Sequence, residues 1–211
     1  MAVTIVTSHW KEDLTWLMSS EFPVVLIDKE GADPTCFEPA HVIPNKGSEA
    51  SVYLKFIIER YDNLPEHVAF IHGHETSHHH RHDLPILELI RRANVNKHEY
   101  ISLNGWYVDF TFMNEPAYDT YCEDWWDVYM APEFKKPPRG FPMRNMPMAA
   151  QFIVSKKSIL ANSLEFYKRC YDRLASLDVP KHAVFLEMVW HLIFGQNIWY
   201  DVPADLFDLK D

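Results

Sequence analysis

Six of the 12 histidines in this 211-residue chain fall within 11 positions, in the run His72-Gly73-His74-Glu75-Thr76-Ser77-His78-His79-His80-Arg81-His82. Neutral imidazoles and a carboxylate are good ligands for Mn²⁺, Zn²⁺ or a similar divalent ion, and a glycine between two of them lets the backbone turn sharply. The chemistry expected of such a run is Lewis-acid or template catalysis by a bound metal. A solvated histidine-rich loop is the competing account. A regular spacing such as H-E-x-x-H is absent, so neither the ion nor the ligand subset can be read from the run itself. His82, nearest the next helix, is the first to leave out.

A second constellation is Phe185-Leu186-Glu187-Met188-Val189-Trp190-His191-Leu192-Ile193-Phe194. Glu187 and His191 stand at i and i+4, which puts a carboxylate and an imidazole side by side on one helical face. Glu187 is a candidate general base and His191 its proton partner, metal ligand or orienting group. A polar stripe on an otherwise apolar helix is the plainer alternative. In Asn45-Lys46-Gly47-Ser48-Glu49 a lysine and a glycine precede a helix start, where an ammonium and free N–H groups are able to hold a diphosphate. The two-glycine P-loop spacing is missing, and most such sequences are only helix starts. Trp106, Trp125 and Trp126 offer flat aromatic faces for a sugar ring, although core packing explains them as well, Trp106 especially.

These residues need a scaffold. Val3 to Thr7, Pro23 to Ile27 and Val68 to Ile71 are short apolar, mostly β-branched runs of the kind found in buried strands. Leu14, Leu17 and Met18 recur at helical spacing between the first two, with Asp13 as a cap. Gly47-Ser48 opens a stronger helix with Val52, Tyr53, Phe56, Ile57 and Tyr61 on one face, and Ser48 as the expected N-cap. A helix restarts at Asp83-Leu84-Pro85, and Tyr100 to Leu103, Trp106 to Phe112 and Ala150 to Val154 read as strands. Ile159 to Leu174 and Ala183 to Phe194 read as closing helices. From Glu115 to Pro147 the pattern fails: Glu115, Asp119, Glu123, Asp124 and Asp127 surround Trp125-Trp126, and Pro132, Pro137, Pro138, Pro142 and Pro147 argue against any regular element. The fold class expected is α/β, a single Rossmann-like domain over residues 1–211 with a mainly parallel sheet flanked by helices. Ligands then belong beyond the carboxyl ends of the strands, at Ser8-His9, Asp28-Lys29 and the residues after Ile71.

Composition narrows the partners. Twenty Lys and Arg against 30 Asp and Glu give a net charge of −10, a field that repels phosphate backbones and anionic lipid, so no nucleic acid and no membrane insertion are expected. Cys36, Cys122 and Cys170 are an odd number at wide spacing, which argues against a disulfide framework or a cysteine zinc site. The N-terminus lacks a signal-peptide pattern and no apolar run is long enough to span a membrane, so the expectation is a soluble protein of a reducing compartment.

The stretch from Asn45 to His79, with Tyr53-Leu54, Ile58, Tyr61-Asp62-Asn63-Leu64-Pro65 and Phe70-Ile71-His72-Gly73-His74, resembles the DUF3431 family, as do Ala150 to Ser155 and Leu186 to Gly195. The whole chain is also similar to the N-terminal domain of the GT-A-type glycosyltransferases encoded by chlorella viruses. That resemblance implies a GT-A-like domain within a longer chain, a UDP-sugar donor, Mn²⁺ dependence, a glycan acceptor on a viral capsid and the host cytoplasm as location. Where GT-A enzymes usually carry a DxD motif this chain has His72-Gly73-His74-Glu75. By resemblance His74, Glu75 and His79 become the metal or diphosphate contacts and Glu187 the base, with His191, at i+4 from Glu187, the second catalytic candidate. Lys46, Gly47 and Ser48 join Thr7, Ser8 and Asp28 as donor contacts, and Trp125 and Trp126 as acceptor contacts. The rival expectations are a metal-dependent hydrolase and a carbohydrate-binding module without catalysis.

Overall fold

Runs of β-branched and aromatic residues flanked by turn formers give seven of the eight strands, all but Pro142–Pro147, in a computed structural model that describes residues 3–111, 125–138, 140–176, 181–198 and 200–209. In chain order these are β1 (Val3–His9), β2 (Val24–Lys29), β3 (His41–Ile43), β4 (His67–Ile71), β5 (Tyr100–Ser102), β6 (Tyr107–Thr111), β7 (Pro142–Pro147) and β8 (Phe152–Ser155). The α-helices described are α1 (Ser48–Arg60), α2 (Ile86–Arg92), α3 (Lys156–Ile159), α4 (Leu164–Ser176) and α5 (Lys181–Ile193).

The main sheet has the order β3-β2-β1-β4-β8-β5, and β6 pairs with β7 in a separate ribbon. Strands β1, β2, β3 and β4 pair in parallel, as at Ile5 with Val24 and Val3 with His67. β8 runs antiparallel to both β4 and β5. The sheet is therefore mixed, not uniformly parallel. The reversal follows from the chain path: β8 arrives from the β6–β7 ribbon and enters at the carboxyl end of β4.

Both faces are covered. Val6, Ile27, Val68, Phe70, Phe152 and Val154 face α1, α4 and α5, while Ile5, Leu26, Ala69, Ile71 and Ile153 face α2 and the turn at 15–19. Burial on both sides explains the unbroken apolar runs of β1 and β4. Trp190, Phe152 and Phe194 pack within 6 Å of one another, centroid to centroid, Trp190 and Phe194 stacked and Phe152 tilted against both, and each such side chain removed from water contributes about 2–3 kcal/mol.

Several expectations need correction. The segment around Leu14 and Leu17 is a short 3₁₀ turn, Thr15–Ser19, with Met18 69% exposed; the Asp13 carboxylate nonetheless accepts from the Thr15 N–H at 2.9 Å. Gly47, not Ser48, precedes α1 as its cap, in the left-handed region at φ +69°, and no side chain caps that end. The proline-rich segment does hold regular structure, a π-helical turn at Trp126–Met130 and strand β7. Pro142 and Pro147 lie at the two ends of β7 in a two-stranded ribbon, where a missing N–H costs little. Glu115, Asp119, Cys122, Glu123 and Asp124 fall outside the described residues. Among the described residues no helix is long and apolar enough to cross a membrane.

Candidate functional site

The connection from β1 through β2 to β3 extends the sheet to one side, and α1 carries the chain back to β4 on the other side of β1. That reversal opens a crevice beyond the carboxyl ends of β1 and β4, the position where open α/β sheets bind ligands. Gly73 closes its floor. A Cβ there would meet the Glu12 Cβ and Cγ at 3.0 Å, so glycine lets the loop after β1 pack on the turn after β4 without displacing Glu12. Burial opposes ionisation of Glu12, but the N–H groups of Trp10 and Lys11, at 2.8 and 3.0 Å, and the nearby His74 outweigh it and hold the carboxyl below its ordinary range. Alongside, His9, Lys11, Glu12, Asp13, Asp33 and Thr35 help line a polar cavity of about 290 Å³.

The histidine turn is held mainly by hydrogen bonds to distant segments. Gln151, just before β8, accepts from the His72 N–H at 3.0 Å and places its amide nitrogen 3.0 Å from His79 Nε2 and 3.2 Å from Asn104 Oδ1. Ser77 Oγ lies 2.9 Å from His79 Nδ1. Burial pulls His72, His79 and His80 down to about 4, with neighbouring imidazoles adding to the effect. These rings are neutral at neutral pH. His72 Nε2 is buried with no partner. Of the three ligands expected, His74 and Glu75 are exposed and both ring nitrogens of His79 are engaged. Among the described residues no three His, Cys, Asp or Glu side chains stand together as a metal-holding group. As arranged, His74, Glu75 and His79 do not fit an ion.

A second cluster lies at the start of α1. Lys29, at the end of β2, is buried and directs its ammonium at the carbonyl oxygens of Lys46 and Ser48, at 2.9 and 2.7 Å, and at Ser51 Oγ. Burial brings it down to about 8, against the pull of Glu49. Glu49 Oε1 is buried without a partner, and desolvation raises its carboxyl above the ordinary range. Glu187, half-buried on α5, is pushed up to about 7, first by desolvation and then by the neighbouring Glu49. Two carboxyls that share a poorly solvated site resist ionising together, which is the usual way to obtain an acid–base group near neutrality.

One segment joins the two clusters. The Ala149 peptide N–H faces Glu187 and favours its ionised form, the Ala150 carbonyl accepts from Tyr53 Oη at 3.0 Å, and Gln151 anchors the histidine turn. Ala149 and Ala150 have φ values of +68° and +41°, where a Cβ is disfavoured. Such strain persists only where surrounding contacts over-determine it, and it concentrates at working sites.

The other residues expected at the site are dispersed. Thr7 is buried with its hydroxyl on the Ser8 carbonyl, and Asp28 is bonded to the buried His9 at 3.1 Å. Only Ser8 and Asp28 keep partial exposure at the strand ends. Lys46, Gly47 and Ser48 form a turn in which the Lys46 and Ser48 carbonyls accept from Lys29, with Glu49 nearby, so its polar groups are turned toward a cation. His191 is buried with neither ring nitrogen partnered, and burial alone takes it down to about 3. It is not bonded to Glu187. Trp126 is 2% exposed and donates to the Phe134 carbonyl at 3.2 Å, while Trp125 is half-buried against Phe185. Trp126 therefore belongs to the core. The sequence reading placed Lys29 at the ligand-facing strand end without giving it a role, and it passed over Glu49, Glu12 and Gln151; for Glu49, the one available signal was a carboxylate in the first turn of a helix that already begins beside a lysine.

Fold and site together define an α/β protein with a carboxyl-edge crevice and a pair of poorly solvated carboxyls, Glu49 and Glu187. The chain belongs to the family described as "Protein of unknown function (DUF3431)", which matches residues 4–204. No curated protein matches the sequence.

Proposed function

We propose that this chain is a glycosyltransferase that moves a hexose or deoxyhexose from a UDP-sugar to a hydroxyl of a glycan acceptor, with Glu187 as general base. The observation that carries the reading is the Glu187–Glu49 pair at the carboxyl edge, with Glu187 held near 7. A base poised near the working pH combines a usable ionised fraction with the drive to take a proton. Glu187 accepts the hydroxyl proton as the acceptor oxygen bonds to the anomeric carbon and the bond to UDP breaks on the opposite face, giving inversion. The Ala149 N–H orients the carboxylate, and Glu49 maintains its basicity. The uncharged parts of the donor suit the polar cavity beside His9, whereas its diphosphate requires a cation that His74, Glu75 and His79 do not hold as placed; Lys11 is the lysine on that cavity's rim.

The test is UDP release from a panel of UDP-sugars with and without an oligosaccharide acceptor. Release that requires acceptor is expected. Equal release without it assigns hydrolysis instead, and equal calorimetric affinity for UDP, GDP and CMP defeats the donor assignment.

A further inference from the structure

Trp106 is 50% exposed, whereas Trp126 is 2% exposed. An exposed tryptophan is unremarkable alone, but this one is fixed and crowned by polar edges. Its carbonyl accepts from the Met148 N–H at 3.1 Å, and the preceding Gly105 donates to the His79 carbonyl at 2.8 Å. His80 and Asn104 add a bridge between the same two segments. The His78 ring stands edge-on to the indole at 4.9 Å and that of His79 at 5.9 Å. The nitrogens of His78 bond to no other described residue. Val108, two residues on and 38% exposed, continues the apolar strip along β6.

The combination of a flat aromatic face with the His78 nitrogens at its rim has a definite chemical match. A pyranose presents an apolar face of axial C–H bonds and a rim of hydroxyls, whereas a purely aliphatic ligand would leave that imidazole unused. Position supports the same ligand. Met148, which holds the Trp106 carbonyl, is followed by Ala149, whose N–H faces Glu187, so platform and base are anchored to peptide groups one residue apart, ~3.8 Å between Cα atoms. We infer that Trp106 and His78 form a pyranose-binding subsite that seats the acceptor sugar beside Glu187, in place of the Trp125–Trp126 pair. Its catalytic use rests on the glycosyltransferase reading; its affinity for sugar does not.

The test uses the full chain and methyl pyranosides of glucose, galactose, mannose and rhamnose, followed by saturation-transfer NMR and by the indole N–H resonance of Trp106. At least one pyranoside should shift that resonance. Trp106→Ala should weaken its binding about tenfold or more, with Trp106→Phe between the two and native circular dichroism in both. No response at Trp106 from any of the four, or unchanged affinity in Trp106→Ala, overturns the subsite. A Glu187→Gln variant that still transfers sugar removes the base assignment and leaves the subsite standing.

Discussion

The histidine turn and the carboxylate cluster lie on the same carboxyl edge, yet they differ in how their chemistry is set. The turn is conspicuous in sequence, and it is tied down structurally, the His79 ring by Ser77 and Gln151 and His72 through its backbone N–H by Gln151. The cluster draws one residue from each of β2, α1 and α5, and its members are perturbed because they share a poorly solvated site. Number of titratable groups is a poor guide to reactivity; desolvation together with a like charge is a better one.

If the carboxylate cluster is where protons move, Glu187→Gln should lower acceptor-dependent turnover by about 10²–10⁴ while leaving the fold intact, the range for loss of a general base. Steady-state UDP release measures it, and a loss below threefold would shift attention back to the turn. Glu49→Gln sharpens the same point. Glu49 raises Glu187, so the midpoint at which activity rises with pH should move below the parent value of about 7. A pH–rate profile that does not move would mean the two carboxyls do not communicate.

The turn is predicted to fail structurally. Gln151 is 1% exposed and serves His72, His79 and Asn104 at once. Gln151→Leu leaves the His72 N–H and Asn104 Oδ1 without that partner and should cost about 3 kcal/mol, read as a lower urea midpoint.

Helix α5 extends the contrast into pH. Glu187 is raised from 4.5 to about 7, so the folded chain binds more protons across that window; its contribution is fully present below about 4.5 and is lost as pH rises through 7. His191, one turn on, is lowered from 6.5 to about 3; its contribution is present above 6.5 and is lost as pH falls toward 3. Urea titrations across pH should find Glu187→Gln flattening the alkaline-side decline and His191→Leu the acid-side one. If either variant leaves its limb unchanged, the corresponding group is not buried as described.

What could be read from the sequence follows the same division. β1 and β4 were legible because burial on both faces demands unbroken apolar runs, and the helix after Gly47 because its apolar face repeats every 3.6 residues. The histidine run does follow a buried strand, β4, as its place after Val68 to Ile71 indicated. Its internal arrangement was not legible, since Gln151 and Asn104 are distant in sequence and only the insertion of β8 beside β4 delivers them. Glu49 read as an ordinary first-turn acid, and Lys29 as the polar stop of a strand; no spacing links them to Glu187. The exposure of the tryptophans was not legible either, because Trp126 lies on a helical turn that faces the core, while Trp106 leads into a ribbon with one side in solvent.

The smallest expected effect tests whether the segment joining the two regions is strained for a purpose. Ala149 holds φ +68° with a Cβ, which costs about 1 kcal/mol, and glycine removes that cost while adding freedom to the unfolded chain. The two terms nearly offset, so Ala149→Gly should change stability by less than about 1 kcal/mol in urea unfolding. Turnover should respond more than stability does. A looser peptide at 149 orients the Glu187 carboxylate less well, and a severalfold fall in rate at nearly constant stability is the expected signature. Equal rates in the two proteins would mean that the strained alanines serve only to turn the chain into β8.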